Sequence, residues 1–414
     1  MTRPTLLVLA AVGILNSALV GTAGDWPRYR GSNFNGISVE KDWLGKWPGG
    51  SPKQVWKKNV GIGFSSMSVA GGRLYTVGND GKKKGGKDTV YCLDAATGAE
   101  VWRYVYDQNL DDHYYDGGPG ATPTVDEARV YIVGRHGTVA CLDAVKGVEV
   151  WKRDIHKELG LAIPEWGFNG SAHIEGSLVI VNAGNYGLAL DKATGKEAWT
   201  TGKQASGYGT AVPFDNGGQR ALAIFAATHL VAIDPKTGKA LWRHPWKTSY
   251  DVNAADPAIS GDRMFISSGY GSGGSGIQFT AAGAKELWKN KEIAAHMASP
   301  VAIGEHVYGV DGMGGDKGSK LKCLELQTGK LVWASPAAAT GSMTVADGKI
   351  LWITGSGELV VVAASPAGYK ELARAQVTGG KVWSPPVLAH GRLYVRTAKG
   401  DVVCADIKGE GKLD

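Results

Sequence analysis

The sequence predicts an all-β fold, an eight-bladed β-propeller of four-stranded antiparallel blades whose ring is closed by the N-terminal strand joining the last blade. Three observations predict it. A segment of the form D-x-x-T-G-x-x-x-W recurs along the chain, as DAATGAEVW (94–102), DAVKGVEVW (143–151), DKATGKEAW (191–199) and DPKTGKALW (234–242), with weaker copies ending at Trp288 and Trp333. From Trp56 the tryptophans step by 46, 49, 48, 43, 46 and 45 residues, about one blade each. The last stretch, Trp383 to Ile407, supplies three strands and stops, while an unassigned strand, KQVWKKNV (53–60), stands at the other end of the chain.

Taken in order, residues 1–23 read as a signal peptide. Arg3 precedes a short apolar run, Leu6 to Leu15, and small residues follow up to Ala23. The run is too short for a comfortable transmembrane span, and no later segment is long and apolar enough for one. No cysteine lies near the cleavage region, so no lipid anchor is expected, and the mature protein is expected in the periplasm or secreted. Residues 24–52 form a lead-in segment, 53–407 the propeller and 408–414 a C-terminal tail.

Within each repeat, a strand, a tight turn and an alternating apolar strand come first, as in VAGGRLYTVG (69–78) and LAHGRLYVRT (388–397). A Gly-containing corner, a strand ending at Asp, the T-G turn and an outer strand ending at Trp complete the blade. The turn Gly can take φ > 0 without the steric cost that other residues meet. The Asp can accept N–H bonds across the turn, and the Trp fills the gap to the next blade. A single blade buries little, and ring closure removes long exposed edges.

The cysteines, Cys92, Cys141, Cys323 and Cys404, occupy one place in the repeat. Equivalent positions in different blades lie too far apart for a disulfide, so they read as small core residues. The formal net charge of +6 is scattered, and its one dense stretch (Lys82, Lys83, Lys84, Lys87) sits in a Gly-rich loop. That excludes nucleic acid as an expected partner.

The D-x-x-T-G-x-x-x-W repeat resembles the PQQ-like propeller repeat, shared by quinoprotein alcohol dehydrogenases and outer-membrane assembly factors of the BamB type. The resemblance covers essentially the whole mature chain. The opening DWPRYRGSNFNGIS (25–38) is similar to the start of many exported bacterial propellers. The copies lack the Gly-His and Trp-Asp pattern of WD repeats.

Strand order places the long loops on one face, where a binding site belongs. Ser66, Thr122, Asp256, Ser299 and Ser342 fall at one register where inner strands enter from that face. Ala254, Trp383, Phe64, Phe168 and Met297 form a neighbouring ring, with Asn253 and His296 a step beyond. Two loops add chemistry: YVYDQNLDDHYYDGGPG (104–120) and the stretch after Trp151 carrying Glu165 and Trp166. The first reads as a solvated lid or as a calcium or ligand site. Trp166 and Trp383 read as blade-entrance packing or as an aromatic platform, and Asp256 as a strand cap or a functional carboxylate. The candidate ligand- or cofactor-binding set is Trp166, Asp251, Asn253, Asp256, His296, Trp383 and Arg135, with no metal ligands assigned.

Hydrolase and zinc motifs are absent: there is no G-x-S-x-G, no H-E-x-x-H and no zinc-spaced cysteine pair. The expected function is an exported, monomeric, non-catalytic scaffold for an envelope protein, peptide or glycan. The resemblance implies an alternative, a PQQ- and calcium-dependent oxidoreductase of alcohols or sugars with Asp256 as its catalytic residue. The chain lacks the adjacent cysteine pair that many of those dehydrogenases carry, has no c-type haem motif and is considerably shorter than they are.

Overall fold

In a computed structural model that describes residues 24–408, the repeat resolves into eight four-stranded antiparallel sheets, the blades of one propeller. The signal peptide and residues 409–414 of the tail lie outside the described residues. Blade 1 comprises Ser68–Ala70, Arg73–Asn79, Lys87–Asp94 and Glu100–Asp107, and blades 2 to 7 follow with consecutive strands in the same order. Blade 8 takes Val387–Ala389, Arg392–Arg396 and Asp401–Asp406 from the end of the chain. Its outer strand is Lys53–Asn59, antiparallel to Asp401–Asp406 with Trp56 opposite Cys404. The ring is thus closed by both ends of the propeller sequence.

The repeat motif has a geometric cause. In the first copy, Asp94 Oδ1 accepts the N–H groups of Ala96 (3.0 Å) and Thr97 (2.8 Å) and the Thr97 hydroxyl (2.8 Å). Gly98 then turns the chain at φ +74°. The Trp of one blade lies over the turn Gly of the next. A Cβ on Gly147 would fall 2.5 Å from the Trp102 ring, and one on Gly195 2.7 Å from Trp151. The indole N–H also crosses the gap. Trp102 donates to Ala144 O (3.0 Å), Trp151 to Lys192 O (3.0 Å) and Trp199 to Pro235 O (3.1 Å), each acceptor directly following a turn Asp. Blade 5 lacks the T-G turn, and there Trp242 of blade 4 donates to Asn216 Oδ1 of its own blade instead.

One sequence expectation is corrected: the outer strand does not end at Trp. In blade 1 it runs on to Asp107. Register shifts by one residue immediately before Trp, since Cys92 pairs with Trp102 while Leu93 pairs with Glu100. The bulged residue, Val101, points to solvent at 45% exposure. The shift recurs in every blade, and in all but blade 7, where Ala373 follows it, it turns an indole toward the neighbouring side. The four cysteines are buried and unbridged, as the repeat register predicts.

The lead-in is a structural part of the ring. Trp26 exchanges backbone hydrogen bonds with Val69 of blade 1 (2.8 Å each way), and Pro27 O accepts from Val125 of blade 2 (2.7 Å). Arg30, buried, donates to Pro257 O (3.2 Å) and Pro300 O (2.7 Å) of blades 5 and 6. Ile37–Ser38 then pairs in parallel with Val345–Ala346 of blade 7. A segment that touches the inner strands of opposite blades crosses the axial channel. It therefore closes the channel beneath the loop-rich face.

The Trp–Gly contact predicts unequal costs for equivalent substitutions. Gly147→Ala and Gly176→Ala both force Ala to a positive φ, but a Cβ at Gly176 meets nothing within 4 Å. Both should lose about 1 kcal/mol from the backbone, and Gly147→Ala a further ~1–3 kcal/mol from overpacking against Trp102. Denaturation midpoints of the two variants test this, and equal shifts would contradict the contact's role.

Candidate ligand-binding cleft

The inner strands enter from the loop-rich face through a relay of hydrogen bonds that runs from blade to blade. The N–H of Ser66 donates to Thr122 Oγ1 (3.1 Å), that of Thr122 to Ser171 Oγ (2.9 Å) and that of Ser171 to Thr210 Oγ1 (3.0 Å). It continues from Thr210 N–H to Asp256 Oδ1 (2.7 Å) and from Asp256 N–H to Ser299 Oγ (2.9 Å). The register read from sequence holds in this relay for Ser66, Thr122, Asp256 and Ser299, while Ser342 donates its hydroxyl to Trp383 O of the next blade. Ser171 and Thr210 belong to it as well, and their blades hid them because no long apolar strand marks the entry. In blade 8 the corresponding residue is Pro385, whose carbonyl accepts from Ser66 Oγ (3.1 Å).

Above this relay lies a cleft of about 590 Å³ on the propeller axis. Tyr29 of the lead-in and Asp256 lie at its base, and aromatic rings form its walls. Phe64 and Trp383 stack with centroids 4.7 Å apart, and Tyr115 packs 5.6 Å from Phe64. Trp166 meets Tyr208 edge-on at 5.9 Å. Tyr270 bridges Tyr250 (5.5 Å) and His296 (5.1 Å).

The sequence-predicted residues divide into two groups. Trp166, Asp256, His296 and Trp383 line the cleft together. Asn253 does not reach it: the residue is fully buried, its amide donating to Ala226 O (2.8 Å) and Ala227 O (2.9 Å), and its Oδ1 accepting from Ser268 (2.8 Å). Asp251 is exposed at φ +52° and faces a separate groove with Tyr186, His229 and Arg243. Arg135 is buried behind the wall. Its guanidinium donates to Asp111 O (2.7 Å) and Trp166 O (2.9 Å) and sits over the Tyr115 ring, so it orients two loops without lining the cleft. Phe168 is corrected too: it packs in the core between blades 2 and 3, and Asn169 beside it faces the cleft. A one-residue slip in an irregular loop exchanges the two faces.

Sequence reasoning missed Tyr29, Tyr208, Tyr250 and Tyr270. Tyr208 carried a usable signal, since it stands two residues before Thr210 as Phe64 stands before Ser66. The acidic loop 104–120 contributes Tyr114 and Tyr115 to the cleft. Its acids pair outward, Asp112 with Lys83 (2.8 Å), Asp111 with Arg135 (3.5 Å) and Asp116 with Lys381.

Burial sets the electrostatics. It raises the Asp256 carboxyl to about 6, against the opposing pull of Arg30 and the Thr210 N–H. It lowers His296 to about 4, so the imidazole is neutral near pH 7. Burial also lifts the Tyr29 phenol to about 12.

PQQ with calcium does not fit this lining. Among the described residues, no Lys or Arg side chain lines the cleft to meet the cofactor's carboxylates. The nearby cations are committed elsewhere, Arg30 to carbonyls under the floor, Arg135 to two loop carbonyls and Lys381 to Asp116. Among the described residues, no three His, Cys, Asp or Glu side chains group as metal ligands, and one oxygen of Asp256 is already held in the relay.

A family model described as outer membrane protein assembly factor BamB matches residues 50–151, 86–335 and 317–413. The BamB of Burkholderia pseudomallei (strain K96243) is 34% identical over 105 residues, which is 25% of this chain and only 26% of that relative's length. The solved BamB from Moraxella catarrhalis superposes with a TM-score of 0.61 at 17% identity, covering 87% of this chain and 99% of that one. The quinohemoprotein alcohol dehydrogenase from Comamonas testosteroni gives 0.67 at 14% identity, covering 94% of this chain and 82% of that one. Likeness at these identities speaks for the fold, and function has to be argued from the site. Matched by that family model from residue 50 to residue 413, the chain belongs to the BamB-like family of PQQ-like propellers.

Proposed function

We propose that the protein is an exported, monomeric, non-catalytic scaffold of the cell envelope that takes part in outer-membrane protein assembly through its loop-rich face. The observation that carries this reading is the cleft itself, an aromatic recess with no nucleophile–base pair among its described lining residues. Large aromatic side chains give contact area at low entropic cost, which suits recognition. The BamB-like family membership supports a protein partner. Export through residues 1–23, with the mature chain beginning at Gly24, is part of the proposal, and N-terminal sequencing of the periplasmic protein tests it.

In cells lacking the protein, outer-membrane β-barrel proteins should fall in abundance. The wild-type gene should restore them, and a Phe64→Ala, Trp166→Ala, Trp383→Ala variant that remains folded should not. Full rescue by that variant would remove the cleft from the function.

The quinoprotein alternative is tested by calorimetric titration of the purified protein with PQQ, with and without calcium. No heat and no spectral change are expected. Tight, calcium-dependent binding that Asp256→Ala weakens would replace this reading with an oxidoreductase.

His296 makes a pH prediction. Its folded pKa of about 4 lies below the ordinary 6.5 because of burial. As pH falls through that window, the unfolded chain takes up a proton that the folded chain refuses, so folded stability drops. Asp256, raised to about 6, acts oppositely between 3.8 and that value. The comparison is therefore with His296→Gln, whose denaturation midpoint should fall less between pH 6.5 and 4 than the wild type's. Identical profiles would show that His296 is not buried neutral.

A further inference from the structure

The charge of the cleft is one-sided. Among the described residues, the acidic side chains that line it are Glu165 and Asp256, no Lys or Arg lines it, and its one histidine is held neutral by burial. Glu165 is exposed at the wall, and among the described residues no ion pair engages it. Its charge reaches the rings opposite. The Tyr208 phenol is raised to about 12 by burial foremost, with Glu165 adding, and Tyr270 is raised by burial, Tyr250 and Glu165. Asp256 is 2% exposed, and while Oδ1 accepts the Thr210 N–H, no described residue donates to Oδ2. The nearest cation, Arg30, lies beneath the floor with its donors spent on backbone carbonyls.

The wall rings add the same sign. The face of an aromatic ring is the negative pole of its quadrupole; Arg135 already lies over Tyr115 and Lys381 over Trp383, while Trp166, Tyr208 and Tyr250 line the cleft from three blade-entrance loops and Tyr270 from the mid-blade corner of blade 5. Rings enclosing a space with carboxylates at its edge and base favour a cation that sheds its water easily. A bare ammonium is strongly hydrated and needs several acceptors at once, which two separated carboxylates do not supply. An alkylated ammonium presents methyl groups to the rings and asks only for nearby negative charge.

We propose that the cleft binds a small organic cation bearing an alkylated ammonium group, with the tyrosine and tryptophan rings packed around its head and Glu165 and Asp256 supplying the counter-charge. This rests on the reading of the cleft as a binding site and names the ligand class it takes. An anionic group next to the ammonium is disfavoured, because among the described residues no Lys or Arg side chain lines the cleft to receive it.

Calorimetric titration of the purified mature protein tests the proposal, with choline, its neutral isostere 3,3-dimethylbutan-1-ol, glycine betaine and phosphocholine as probes. Choline should bind at one site, and the neutral isostere about tenfold more weakly. Glycine betaine and phosphocholine should both bind more weakly than choline. Glu165→Gln, a surface change that leaves the thermal midpoint in place, should weaken choline several-fold without changing the isostere. Equal binding of choline and the isostere, or tighter binding of the two zwitterions, would overturn the cation inference while leaving the cleft a binding site. Heat from the isostere alone would do the same. Silence from all four probes would overturn it too, and the outer-membrane rescue assay then decides separately whether the scaffold reading survives.

Discussion

Five of the eight seams between blades are held by a tryptophan (Trp56, Trp102, Trp151, Trp199 and Trp288) that rests on its neighbour's turn glycine and donates its indole N–H to a carbonyl beside it. The contact is demanding at both ends. The glycine is required by its positive φ and by the ring above it, and the tryptophan reaches it only because a bulge precedes it in the outer strand. A change on either side is felt across the seam between two sheets. That is the physical content of the D-x-x-T-G-x-x-x-W repeat, and it is why the repeat survives where most other positions in a blade vary.

Where the contact is missing, the structure substitutes for it locally. Blade 5 has no T-G turn, and Trp242 turns to Asn216 and stacks on Phe279 with its centroid 6.3 Å away. Blade 7 has Ala373 in the Trp position, and the seam to blade 8 is filled from outside the repeat by Trp43 and Trp47 of the lead-in. The lead-in also crosses the axis and seals the channel. An open ring of blades would leave a through-channel; this one has a cleft with a base.

The fold was legible because its determinants are local and repeated. Turn chemistry and tryptophan spacing pointed to a propeller, and the incomplete last blade with its spare strand at the other end of the chain set the count at eight. The site was legible only in part. Asp256, Trp383, Trp166 and His296 stand at or near strand entries, where the register can be counted. Asn253, Asp251 and Arg135 were misplaced because loop residues have no period: Asn253 turned inward to satisfy buried carbonyls, and Arg135 braced two loops. Tyr29 could not have been found by aligning blades, since it comes from a segment that belongs to none of them.

The relay of inner-strand hydroxyls explains why the one carboxylate among them matters. At blades 2, 3, 4 and 6 a serine or threonine oxygen accepts the neighbouring N–H and adds no charge. At blade 5 an aspartate does so, in a position buried enough to raise its pKa to about 6. A serine there would have met the same hydrogen bond without the desolvation cost, which burial of an ionised carboxylate always carries. The fold therefore does not need the charge. Arg30 below offsets part of it, but its donors go to carbonyls and no ion pair between the two forms within the described residues. A carboxylate is left at the base of an aromatic cleft whose lining, among the described residues, holds no Lys or Arg side chain: Lys381 behind Trp383 is paired with Asp116, and Arg135 over Tyr115 with loop carbonyls. A ligand's own positive charge is the complement that such a site lacks.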